Sequence, residues 1–195
     1  VTPPFTRRFP NYLSGELTTA TTMWTLPPGP TRFHGTSAHY SEAADPIQRR
    51  ALLLWADLRR QAGLAKADSL DAAARPEFAG QTALCDVVGV GCAFRYRTIG
   101  LDMSSWDRND DSRELDAIEP QAYRQVIRRQ YLETVRARTP LLHSIFAETP
   151  AGVYGYTRLT LPLSVRTAEV GRLWLVPAGL NRFVDSLREA ARLAA

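Results

Sequence analysis

Lysine is almost absent from this chain: Lys66 is the only one among 24 basic residues, so arginine carries nearly all the positive charge behind a formal net charge of +4. The arginines fall in ones and twos. No basic block interleaved with stacking aromatics and no helix-turn-helix pattern accompanies them, which argues against a nucleic-acid partner. Two cysteines, Cys85 and Cys92, are too few for a disulfide framework, and the three histidines, His34, His39 and His143, are too few and too dispersed for a metal cluster. A reducing cytoplasm is the expected compartment. No segment approaches the roughly 20 apolar residues of a membrane-spanning helix, and no membrane partner is expected. Thr6-Arg7-Arg8-Phe9 has the letters of a twin-arginine signal without the apolar run that must follow it, so export is not expected either.

Signs of catalysis are equally sparse. No serine stands in a Gly-x-Ser-x-Gly context, and Gly89-Val90-Gly91 precedes a strand rather than the helix a phosphate loop requires. The acidic stretch 107–119 holds six carboxylates against two arginines, yet the spacing of Asp107, Asp110 and Asp111 lacks the glycine turn and distal glutamate of a calcium loop. The chain is therefore read as a non-enzyme with no metal and no cofactor.

What is present suffices for one domain with a proper core: 195 residues, 45% of them hydrophobic. In Cys92-Ala93-Phe94-Arg95-Tyr96-Arg97-Thr98-Ile99 the alternation places Cys92, Phe94 and Tyr96 on one side and Arg95 and Arg97 on the other, the pattern of a half-buried strand. Gly100 ends the run at a turn, and the residues through Trp106 read as a short helix. Residues 82–88 supply the partner strand of a hairpin. Residues 1–44, rich in threonine, proline and small side chains, hold no sustained period and are read as a loose tail, although Phe5, Phe9, Tyr12, Trp24 and Phe33 give parts of it something to pack.

Asp45-Pro46 is a helix start, an N-cap aspartate with proline in the first turn, and the helix is expected to run to Gly63. Ile47, Ala51, Leu54, Leu58 and Ala62 form its inward stripe, with Trp55 beside it, whereas Leu53 stands among Arg49, Arg60 and Asp57 on the opposite face. A further helix follows Pro120 and stops at Pro140. Its inward stripe is Tyr123, Val126, Ile127, Tyr131 and Thr134, with Gln130 embedded; the tyrosines read either as a pocket wall or as core residues whose hydroxyls reach the surface. Three antiparallel strands at 141–147, 153–163 and 170–176 come next, then an amphipathic helix over 180–195 with Phe183, Leu187 and Ala190 to one side.

Two strands, a helical crossover and three antiparallel strands make an α+β domain, expected as a five-stranded antiparallel sheet with helices on one face and flanking N- and C-terminal helices. Its motifs are Leu54-Trp55-Ala56-Asp57-Leu58-Arg59 on the first helix, Phe94-Arg95-Tyr96-Arg97-Thr98-Ile99-Gly100 closing the hairpin, Tyr154-Gly155-Tyr156-Thr157-Arg158-Leu159-Thr160-Leu161-Pro162-Leu163 and Trp174-Leu175-Val176. On these the chain resembles the compact bacterial PAS-domain family over about residues 38–177. It departs from that family in lacking a proline in the link 64–68 and a glycine in the acidic segment. The resemblance implies a PAS-like domain at 45–177, with 178–195 as a C-terminal helix, and a sensing or protein-interaction function without catalytic residues. The expected ligand wall is Tyr96, Tyr123, Ile127, Tyr131 and His143, and the expected partner is a small molecule or a signalling protein. A homodimer is expected through the first helix, with Leu53, Leu52 and Trp55 at the interface. A continuous cavity behind those five residues favours sensing, a filled core favours pure interaction, and a buried polar constellation with an open mouth favours an enzyme.

Overall fold

A computed structural model describes residues 26–59, 63–73, 76–89, 93–100, 114–166 and 168–194. Its centre is a seven-stranded, mostly antiparallel sheet whose main path runs β1 (Arg32–His39), β5 (Leu141–Thr149), β6 (Gly152–Ser164), β7 (Val170–Ala178), β3 (Ala83–Val88), β4 (Ala93–Ile99). The two-residue β2 (Ala65–Lys66) pairs parallel with the far end of β6. The β3–β4 hairpin docks through β3 onto β7, so the five strands read from the sequence are contiguous. The sheet differs from the expected five strands by β1 and β2. Residues 32–39, assigned above to a loose tail, pair with β5 along their whole length, from Arg32 opposite Glu148 to His39 opposite Leu141. An edge strand gains its order from the neighbour's ladder rather than from its own hydrophobic period, which is why Arg-Phe-His-Gly-Thr-Ser-Ala-His carries no strong strand signal.

Helices cover both faces of the sheet, not one. On one side lie α1 (Pro46–Leu58), α2 (Ala67–Ala73) and α3 (Pro76–Ala79), meeting Leu142, Leu159, Leu161, Leu163, Trp174 and Val176. On the other lie α4 (Gln121–Ala137) and α5 (Leu180–Leu193), meeting Ala83, Cys85, Tyr96, Ile145, Tyr156, Leu173 and Leu175. The period of two sorts these residues: Tyr156 and Arg158 face α4 while Leu159, Leu161 and Leu163 face α1. Because both faces of β6 and β7 are covered, Leu159–Leu163 and Leu173–Val176 read as nearly continuous apolar runs without a wet side. The C-terminal helix belongs to the same core: Leu180, Phe183, Val184 and Leu187 are buried with the α4 residues.

Local signals place the helices well. Asp45 Oδ1 accepts from the backbone N–H groups of Ile47 (2.9 Å) and Gln48 (3.2 Å), the cap its sequence promised for α1. The helix rotates slightly from the expected stripe. Gln48, Ala51 and Trp55 are the fully buried residues, whereas Ile47, Leu52, Leu54 and Leu58 are half-buried. In α4 the buried set is Tyr123, Val126, Ile127, Gln130, Tyr131 and Thr134, the stripe the periodicity predicts. Gly100 serves a close approach, since an added Cβ would run into the Gly80 carbonyl oxygen. The expected helix through Trp106, Cys92, and most of the acidic stretch lie outside the described residues.

Candidate functional site

The five residues expected to line a ligand wall converge between α4 and the sheet. Tyr96 comes from β4, Tyr123, Ile127 and Tyr131 from α4, and His143 from β5; none is more than 1% exposed. The tyrosine hydroxyls pair inside the core, Tyr96 with Tyr131 at 3.0 Å and Tyr123 with Tyr156 at 2.6 Å. Phe94 meets the Tyr131 ring edge-on at 5.2 Å.

At the centre of this group sits a residue the sequence reading quoted without assigning a role. Arg158, on β6 directly opposite His143, is the largest fully buried side chain. Its Nη2 donates to Gln130 Oε1 (2.7 Å), and its guanidinium carbon lies 4.7 Å from the centroid of the Tyr131 ring. Gly35 on β1 leaves room for that amide, because an added Cβ there would stand 2.6 Å from Gln130 Nε2. Among the described residues Nε, with one hydrogen, and Nη1, with two, have no hydrogen-bond partner. Two positions along the same strand face, the buried Thr160 Oγ1 also has none.

Among the described residues no carboxylate forms an ion pair with Arg158, whereas Arg172 on the neighbouring β7, also buried, has Asp86 at 2.6 Å. An unpaired buried cation costs several kcal/mol of desolvation even after relaxation, of which a cation–π contact returns about 0.5–2 kcal/mol.

The described groups that act on Arg158, the four tyrosines, carry no negative charge at neutral pH. Burial, then Tyr131, pushes the Tyr96 phenol well above its usual pKa; burial likewise raises Tyr123, Tyr131 and Tyr156, and holds the Cys85 thiol protonated. Burial first, and the Arg158 charge second, lowers the His143 imidazole to about 3, so it is neutral. His143 lies in a chain of polar contacts that reaches the surface: Nε2 to Thr134 Oγ1 (3.0 Å), Nδ1 to Ser37 Oγ (2.9 Å), and Ser37 Oγ to Glu133 Oε2 (2.6 Å). The Ser37 hydroxyl donates to Glu133, so Nδ1–H donates to Ser37, and with the ring neutral Nε2 competes with the Gln130 carbonyl (3.1 Å) for the single Thr134 hydroxyl hydrogen. The site is thus a buried single positive charge ringed by neutral polar groups.

Arg158, Tyr156 and Thr160 complete a constellation of which the sequence reading had the α4 part, Gln130 included, with Tyr96 of β4 and His143. The available signal was phase: Tyr156, Arg158 and Thr160 alternate with Leu159 and Leu161, so the arginine had to enter one of two covered faces. A surface groove of about 690 Å³ lies elsewhere, lined by Ala151, Tyr154, Arg182, Asp185 and Leu193, and none of the five expected wall residues reaches it. Trp55, expected at a dimer interface, is spent inside the fold. It is buried against the sheet and its indole Nε1–H donates to the Pro162 carbonyl at 2.8 Å, while Leu52 is half-buried and Leu53 is 66% exposed. Among the described residues there is no cluster of metal-ligating side chains and no helix long and apolar enough to cross a membrane. No protein-family model, no curated protein and no solved structure matches the chain.

Proposed function

We propose that this chain is a cytoplasmic regulatory module of PAS type that binds a small ligand, or a protein partner, and passes the event to its flanking helices. The observation that carries the reading is the Arg158 guanidinium, buried with two nitrogens unpartnered among neutral groups. A domain built only to pack has no use for such a cation, since an apolar side chain of similar volume is as stable or more so. Places where a sequence breaks the packing rules without local compensation are where function is expected. The order of hairpin, helical crossover and three antiparallel strands supports the PAS-type assignment.

Both flanking helices touch the strand that carries Arg158. Tyr123 bonds Tyr156, which packs on Phe183 of α5 at 5.1 Å, so a shift of the tyrosines reaches the C-terminal helix. On the opposite face Gln48 of α1 donates to Thr157 Oγ1 and to the Val176 carbonyl, beside Arg158 on β6 and β7. A filled-core interaction domain is the second reading, favoured by the near-zero exposure of Tyr96, Tyr123 and Tyr131. Native mass spectrometry of protein purified from its own source separates the two: a ligand mass that departs on unfolding is expected, and a bare chain mass in every preparation removes the ligand reading.

Self-association through α1 rests on Leu53. In a two-fold pair each Leu53 meets its copy, and burying it contributes about 1.5–3 kcal/mol per side chain, too little without help from Leu52 and the rim. Sedimentation of Leu53→Glu is expected to show at least a tenfold weaker dimer with an unchanged fold. A wild type that is monomeric at high concentration ends the idea.

A further inference from the structure

Resting on the ligand reading above, we infer that the site around Arg158 takes a small monocarboxylate, one oxygen accepting from the unpartnered Arg158 Nη1, with the Thr160 hydroxyl as a further contact. The charge count selects a monoanion. Among the described residues Arg158 is the only cation in the cluster, with His143 neutral and the phenols and thiol protonated, so a dianion such as phosphate would leave a surplus buried negative charge.

The donor set selects an acceptor-only group. Arg158 Nε and Nη1 have hydrogens and no lone pairs to offer, and a guanidinium matches planar carboxylates in geometry. Tight packing limits the size: Tyr96, Tyr123, Ile127, Tyr131 and His143 are all at most 1% exposed, so only a group of few atoms can be accommodated. The buried guanidinium also makes the site selective, because a neutral isostere would leave the charge unpaired.

The test uses the full chain, stripped of bound molecules by unfolding in urea and refolded in HEPES buffer, with sodium acetate as the probe and sodium chloride at equal ionic strength as the control. Acetate at 100 times its dissociation constant is expected to raise the thermal midpoint by about 5–10 °C, with chloride giving less than a third of that shift. The acetate shift is expected to vanish in Arg158→Met, and the acetate midpoint in Thr160→Val to rise about tenfold. Thr160→Val keeps the side-chain shape and serves even if Arg158→Met does not fold. A flat acetate response, an equal chloride response or an unchanged shift in Arg158→Met overturns the inference. If native mass spectrometry then finds a neutral bound molecule, only the carboxylate inference falls. If it finds nothing bound, the ligand reading falls with it.

Discussion

Acidification from pH 6.5 to 3 is expected to remove on the order of 5 kcal/mol of stability through His143 alone, about 1.4 kcal/mol per pH unit. The folded-state pKa is lowered to about 3 from an ordinary value of 6.5, so in this window the unfolded chain takes up a proton that the folded chain refuses. Stability therefore rises with pH across the window and is fully present above 6.5. The causes are burial and the Arg158 charge, acting on a ring whose nitrogens are 3.0 Å from Thr134 Oγ1 and 2.9 Å from Ser37 Oγ. Carboxylates titrate chiefly below pH 5, so in the interval from 6.5 to 5 the difference between wild type and a His143 variant isolates this histidine. Urea midpoints of the wild type and of His143→Gln, measured across that interval, are expected to diverge: the wild type loses about 2 kcal/mol and the variant almost nothing. Parallel curves would mean that His143 is protonated in the fold, its second N–H donated to Thr134.

How much of this was legible in the sequence depends on which force fixes each element. The α4 stripe was, because six buried positions at helical spacing leave one orientation. So were the Asp45 cap, the hairpin and the last three strands, which carry local signals of capping, alternation and turns. β1 was not, since its order comes from pairing with β5 across more than a hundred residues of chain. Coverage of both faces was legible in principle. The leucines of β6 and the Leu-Trp-Leu-Val of β7 have no polar alternate, and a strand without a wet side must be buried twice.

The site divided along the same line. Its aromatic walls followed from periodicity, whereas Arg158 offended the local pattern of a core strand, and only the sheet around it turns that offence into a buried charge. Trp55 was placed at an interface for a similar reason. A tryptophan beside a helical stripe signals contact area, but not whether the area is met by the chain's own sheet or by a second copy.

That distinction makes Trp55→Ala the other large effect, expected to lower stability by about 3–5 kcal/mol through lost contacts and a cavity between α1 and the sheet. A further part comes from the Pro162 carbonyl. β6 pairs with β5 as far as Thr160 and with β2 from Leu163 onward, so Leu161 and Pro162 lie where neither neighbour reaches, and the Trp55 indole supplies the donor that a strand would otherwise provide. Proline is tolerated in this central strand for the same reason: an N–H lost in the gap breaks no ladder bond on that side. Trp55→Phe keeps most of the apolar area and removes only the N–H, so it is expected to cost about 1–3 kcal/mol, the penalty of an orphaned buried acceptor. Urea unfolding of both variants at two protein concentrations decides the matter. Losses independent of concentration place Trp55 inside the fold, as its 4% exposure indicates, whereas losses that shrink on dilution would return it to the dimer interface.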